Sequence, residues 1–162
     1  MPAGPCNVRR TMSSGNVQEY VCGFLFSADR ARVLLIRKNR PAWQAGKLNG
    51  LGGKIEPGET PLDAMRREFR EEAGAEVSDW HHVLTLSGAD DAGSGRGWAG
   101  HFFRAFGELS GVRAMTDEPL EVHPTRPLPA DTIPNLQWMI PLMLDDEPVE
   151  RRYSVHVVGR KG

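Results

Sequence analysis

Apolar side chains alternate at Tyr20, Cys22, Phe24 and Phe26, which predicts a strand, and the unbroken run Val33-Leu34-Leu35-Ile36 predicts a buried partner strand. Ser27-Ala28-Asp29-Arg30 between them reads as a turn, so the two should form a hairpin. A Pro- and Gly-bearing segment runs from Asn39 to Gly53, and Thr60-Pro61-Leu62-Asp63 then opens a helix. Thr60 can cap it, Pro61 suits its first turn, Asp63 sits where a capping box places an acid, and Gly74 is a natural stop. His82 to Leu86 and Phe102 to Phe106 predict further strands, separated by a Gly-rich stretch from Gly88 to Gly100, and Leu120 to His123 predicts a short one. Asn135 to Leu144 reads as a second, apolar helix in which Pro141 demands a kink or an early break. Tyr153 to Val158 alternates enough for a last strand at a sheet edge. Strands mostly of hairpin type, with two helices, indicate an α+β domain whose helices pack on a mixed sheet.

Composition narrows this picture. Residues 1–16 are rich in Gly, Pro, Ser and Asn without periodicity and read as a flexible leader, leaving 17–162 as one domain. With 40% hydrophobic and 25% charged residues the chain is of ordinary globular composition, and no stretch approaches the roughly 18 apolar residues of a membrane span. Arg9 and Arg10 are not followed by an apolar signal region, so a cytoplasmic location is expected. Two cysteines, Cys6 and Cys22, are too few for a disulfide scaffold; both read as free thiols, Cys22 as a small core residue. A net charge of −1 gives no reason to expect polymeric nucleic acid or a membrane surface as partner. The five histidines, His81, His82, His101, His123 and His156, show no metal-ligand spacing.

The chemistry is concentrated in the first helix. At about 100° per residue, Glu68, Glu71 and Glu72 fall within an arc of roughly 100°, beside an apolar arc of Leu62, Met65, Phe69 and Ala73. Three like charges beside buried surface call for a positive partner. Arg66, Arg67 and Arg70 could supply it as salt bridges on a solvated face, or a hard divalent cation such as Mg²⁺ could, since it takes carboxylate oxygens and bridges them to phosphates.

Gly53, Glu59, Arg67, Glu68, Phe69, Glu71, Glu72 and Gly74 stand at the spacing G-x5-E-x7-R-E-U-x-E-E-x-G-U, where U is bulky and apolar, and only Ala75 departs from it. On that pattern the chain resembles the Nudix hydrolases. The resemblance implies a Nudix-type α/β/α sandwich, a mixed sheet between helices. It also implies metal binding by the Gly52 carbonyl with Glu68, Glu71 and Glu72, with Arg67 orienting Glu68 and Glu59 holding Arg67. Mg²⁺ is the implied cofactor, with Mn²⁺ as a substitute, and Val77 is placed to supply the apolar contact that Ala75 lacks.

Outside this box, Leu48-Asn49-Gly50-Leu51-Gly52-Gly53-Lys54 is similar to a Trp-Asn-Gly-Phe-Gly-Gly-Lys run in the family's oxidised-purine nucleoside triphosphatase branch, which implies base reading by Asn49; Leu48 replaces the Trp. Thr116-Asp117-Glu118 resembles the segment supplying a distal acidic metal ligand, and Pro134-Asn135 falls in line with the base-reading element of MutT-type members. Local alternatives stand beside each: Asn49 as a turn former, Glu118 as a solvated acid, Asn135 as a helix cap. Ile133 stands where that branch has a base-stacking Trp; Trp43, Trp98 and Trp138 are other stacking candidates, although a Trp in an apolar helix such as Trp138 is more often core. Lys38 and Lys54 could each contact phosphate or simply be solvated, and Glu56 could join the metal or the loop surface.

The resulting expectation is a Mg²⁺-dependent nucleotide pyrophosphohydrolase cleaving a (deoxy)nucleoside triphosphate to monophosphate and pyrophosphate, with an oxidised purine as one candidate base and the preferred base left open. Glu71 or Glu118 would serve as general base. Hydrolysis of a sugar nucleotide or dinucleotide polyphosphate is the alternative within the class, and a non-catalytic nucleotide-binding module the alternative outside it. The oligomeric state, monomer or homodimer, is left open. Near-neutrality proves to be an average: residues 53–76 carry seven acids and four bases, a charge of −3, and the remainder carries +2.

Overall fold

A computed structural model describes residues 17–89, 96–145 and 153–157. The expected leader, Cys6 and Val158 lie outside the described residues. The strands are β1 (Val17–Phe26), β2 (Arg32–Arg37), β3 (Leu48–Asn49), β4 (His81–Ala89), β5 (Gly97–Phe106), β6 (Leu120–Pro124) and β7 (Tyr153–Val157). The helices are α1 (Pro61–Ala73) and α2 (Leu136–Met143). One mixed sheet runs β3-β2-β1-β5-β4-β7, with β6 on the other edge of β2.

The sheet is buried on both faces, which explains why β2 reads as an unbroken apolar run. Val21 and Leu25 of β1, Leu34 and Ile36 of β2, and Phe103 and Ala105 of β5 face Ala64, Met65, Phe69 and Ala73 of α1. The alternate positions Phe24, Phe26, Val33 and Leu35 face Leu136, Met139, Ile140 and Met143 of α2. A helix therefore lies on each face, as the sandwich requires.

The β1–β2 hairpin is short, pairing Leu25 with Leu34 and Phe26 with Val33. The rest of that edge of β1 is taken by the Gly-rich segment after β3, through Gly23 with Leu51 and Tyr20 with Lys54. The other edge of β1 runs parallel to β5 over its whole length, Val17 opposite Gly97 to Phe26 opposite Phe106. Hairpin reasoning could not supply this central parallel pair. β7 is the terminal strand of the sheet, parallel to β4. The Gly-rich stretch from Gly88 to Gly100 is not wholly a connector, because β4 extends to Ala89 and β5 starts at Gly97.

The start and stop of α1 follow its sequence signals. Thr60 Oγ1 accepts from Asp63 N at 3.2 Å, Pro61 is the first helical residue, and Gly74, in a left-handed conformation at φ 61°, donates its N–H to the Arg70 carbonyl. In α2 the break expected at Pro141 is displaced: the helix continues to Met143. The ring removes one amide close to the C-terminal end, where only two more residues depend on it. Trp138 corrects the core expectation, since it is 46% exposed; the buried stripe of α2 is Leu136, Met139, Ile140 and Met143, and Trp138 lies off it.

Candidate active site

The segment between β3 and α1 lies against the middle of β1 because backbone bonds hold it there: Gly23 N–H to Leu51 O at 2.7 Å, Leu51 N–H to Gly23 O at 3.0 Å and Val21 N–H to Gly53 O at 2.9 Å. At Gly52 φ is 153°, and a Cβ would collide with the Val21 carbonyl oxygen. A Cβ on Gly53 would lie 2.5 Å from Glu68 Oε1. Two glycines thus let the loop pass between β1 and the acidic face of α1.

Arg67 organises that face. Its Nε and Nη2 donate to both oxygens of Glu59 at 2.7 and 2.9 Å, Nη1 donates to Glu68 at 2.8 Å and to Glu71 at 3.3 Å, and Nη2 also reaches the Lys54 carbonyl at 3.0 Å. Only a planar guanidinium can make this fork. Glu59 accepts a further bond from Glu56 N, and Arg67 with that amide holds its carboxyl down at about 2. Arg66 and Arg70 turn elsewhere, to the Ser78 carbonyl and to Glu76. Of the three arginines, Arg67 is the one bonded to the acidic cluster, so salt bridging on a solvated face accounts for only part of its charge.

Glu72 is 8% exposed and accepts the Gly52 N–H at 2.9 Å. Burial pushes its carboxyl up to about 7, with the charges of Glu68 and Glu118 adding to the rise against Lys38 and the Gly52 amide. Glu68 is also raised, chiefly by burial, although Arg67 opposes this. Glu71 is the open member of the set, its side chain 58% exposed.

Glu118 is not the solvated acid that its loop position allowed. It is 4% exposed, Lys38 Nζ meets its Oε2 at 2.5 Å, and Asn39 N–H meets its Oε1 at 2.7 Å. Burial raises its carboxyl, but Lys38 and the backbone amides outweigh that and leave it below the ordinary value. Lys54 and Glu56 are exposed, and Lys54 joins the network through its carbonyl.

Asn49 sits at the end of β3 with its carboxamide held. Oδ1 accepts from Gly50 N at 2.8 Å, Cys22 Sγ lies 3.9 Å from the same oxygen, and Nδ2 donates to Gln44 Oε1 at 3.1 Å. Gln44 carries no motif and was missed; its role depends on the loop fold. Cys22 is partly buried against the α2-side core, and desolvation drives its thiol up to about 12. Backbone bonds of Leu48 with Asp131 and Ile133 bring the start of α2 alongside β3. Asn135 is the cap residue of α2 by position but makes no side-chain cap bond, and its Oδ1 is buried without a partner. Ile133 is buried in the α2-side core rather than offered for stacking, while Trp43 is 62% exposed.

A hard divalent cation suits this donor set: like-charged carboxylates, partly desolvated, beside a backbone loop that only glycine can form. Among the described residues no three His, Cys, Asp or Glu side chains converge closely enough to hold an ion alone. Magnesium sites characteristically use one or two carboxylates and complete the shell with water and phosphate oxygens, which fits that arrangement. No helix among the described residues is long and apolar enough to cross a membrane.

Comparison with known proteins agrees with this architecture. A mutator MutT protein from Bacillus halodurans superposes with a TM-score of 0.66 at 22% identity, covering 86% of this chain and 89% of that one. Oxidized purine nucleoside triphosphate hydrolase from Mus musculus is 46% identical over 56 residues, and that of Danio rerio 50% identical over 52. These matches span 35% of both this chain and the mouse protein, and 32% of this chain and 33% of the fish protein, so the chain spans about a third of the length of the curated relatives it matches. The NUDIX domain model matches residues 17–147, and the chain belongs to the Nudix family.

Proposed function

We propose that the protein is a divalent-cation-dependent nucleotide pyrophosphohydrolase that cleaves a nucleoside triphosphate to monophosphate and pyrophosphate. The observation that carries this reading is the buried Glu72 and the partly buried Glu68 set together against the Gly52-Gly53 loop, with Arg67 fixing Glu68 from one side. A bound Mg²⁺ would polarise a phosphate and supply a nucleophilic hydroxide at neutral pH. Glu68, Glu71 and Glu72, with the Gly52 carbonyl, would share its coordination with water and phosphate oxygens, and Arg67, held by Glu59, would keep Glu68 oriented. Glu71 is the better general base, because both oxygens of Glu118 already accept hydrogen bonds from the protein, whereas Glu71 is open to solvent.

Substrate selection would lie at the other end of the loop. Asn49 has its oxygen tied to Gly50 and one amide N–H given to Gln44, so its second N–H would donate to a base edge, and the unpartnered Asn135 Oδ1 would accept from one. The named activity of the mouse and fish relatives makes oxidised purine nucleoside triphosphates the first substrates to try. The test is a screen of canonical and oxidised (deoxy)nucleoside triphosphates, sugar nucleotides and dinucleotide polyphosphates with Mg²⁺. The products should be monophosphate and pyrophosphate from a triphosphate. Selective cleavage of a sugar nucleotide or dinucleotide would move the assignment within the family. Nucleotide binding without any product would make the protein a binding module.

A further inference from the structure

We infer that Lys38 and a divalent cation compete for Glu118, so that Lys38 governs when this buried carboxylate takes part in cation binding; the inference rests on the metal-dependent reading above. Lys38 lies just past the end of β2 and Glu118 just before β6, 80 positions apart in sequence. Their side chains are 16% and 5% exposed, and the ammonium meets Glu118 Oε2 at 2.5 Å. The Asn39 N–H occupies Oε1. Lys38 and Glu118 both act electrostatically on Glu72, which puts the ammonium within the field of the acidic helix as well as on Glu118. A buried carboxylate needs one cation. It is offered two, the tethered ammonium and a metal ion, and the lone pairs facing Lys38 cannot be given fully to both. Lys38 is thus a positioning residue with a choice of partner, and an anion of high charge such as a polyphosphate is the kind of group that would draw it off Glu118. By linkage, whatever draws Lys38 away favours the cation, and the cation in turn frees Lys38.

The experiment is Mn²⁺ binding to the full-length protein, without nucleotide, by calorimetry and by the electron paramagnetic resonance signal of free Mn²⁺. The set is wild type, Lys38→Met, Glu118→Gln and the double variant. Competition predicts that Lys38→Met tightens Mn²⁺ binding about tenfold or more, that Glu118→Gln changes it less than about twofold, and that the double variant returns to wild type. Persistence of the full gain in the Glu118→Gln background would overturn the inference, since simple removal of a nearby positive charge would then explain it. A tenfold loss on Glu118→Gln alone would also overturn it, because Glu118 would then be binding cation despite Lys38. Should Lys38→Met fail to fold, with Glu118 left buried and unpaired, Lys38→Gln, whose neutral amide can still donate to Glu118, takes its place in the same four-protein comparison. The measurement contains no nucleotide, so hydrolysis can fail while competition holds, and the reverse.

Discussion

Replacing Glu72 by Gln should make the cation-free protein more stable at alkaline pH while removing its function. Glu72 is buried, and its carboxyl is held at about 7 against an ordinary value of 4.5. Between those values the native state binds more protons at this position than the unfolded chain, so stability falls as pH rises through the window from 4.5 to 7 and is level beyond it. At about 1.4 kcal/mol per pH unit the span amounts to roughly 3 kcal/mol. Glutamine keeps an oxygen for the Gly52 N–H and has no charge to desolvate. Urea unfolding of both proteins in EDTA, from pH 4 to pH 8.5, is the assay. The variant should gain about 3 kcal/mol on wild type between pH 4.5 and pH 8, with Mg²⁺ restoring stability only to wild type. A difference that stays constant with pH would refute the reasoning, and so would wild type gaining on the variant: Lys38 and the Gly52 amide would then outweigh burial.

Three other substitutions probe separate parts of the account. Arg67→Lys keeps a charge but cannot hold Glu59, Glu68 and the Lys54 carbonyl at once, so kcat should fall by about ten- to a hundredfold with the circular dichroism spectrum unchanged; a change under twofold would contradict the orienting role. Gly52→Ala forces a Cβ onto the Val21 backbone carbonyl, which no rotamer change can relieve, and should lower the unfolding free energy by about 3 kcal/mol or more in urea titration; a loss under about 0.5 kcal/mol would show that the loop can yield. Asn49→Ala should raise KM for the preferred nucleotide about tenfold and leave kcat nearly unchanged; a loss confined to kcat would place Asn49 in the chemical step instead of in base reading.

Much of α1 was legible because its signals are local. The cap at Thr60, Pro61 at the first position, the stop at Gly74 and the acidic arc all lie within 15 residues, and each appears where the spacing put it. The burial of β2 was legible for the same reason. What the chain hid is non-local. The parallel pairing of β1 with β5 joins segments about 80 residues apart, and no property of either strand names the other as its neighbour. The same holds for Lys38 with Glu118, 80 positions apart, whereas Gln44 and Asn49 stand five apart in an irregular loop whose turns follow no readable period. β3 has only two residues and no pattern to read. Trp138 misled because an apolar helix of eight residues offers more hydrophobic positions than its buried stripe can take.

The central claim is that the carboxylates of α1 hold a cation that drives hydrolysis. It is tested most directly by phosphorus NMR of products from the preferred triphosphate, with wild type, Glu71→Gln and Glu72→Gln, in Mg²⁺ and in EDTA. Wild type in Mg²⁺ should release monophosphate and pyrophosphate; EDTA should abolish this, and each variant should turn over more slowly by about a thousandfold or more while unfolding cooperatively. Turnover by both folded variants within a few fold of wild type, or undiminished turnover in EDTA, would contradict it.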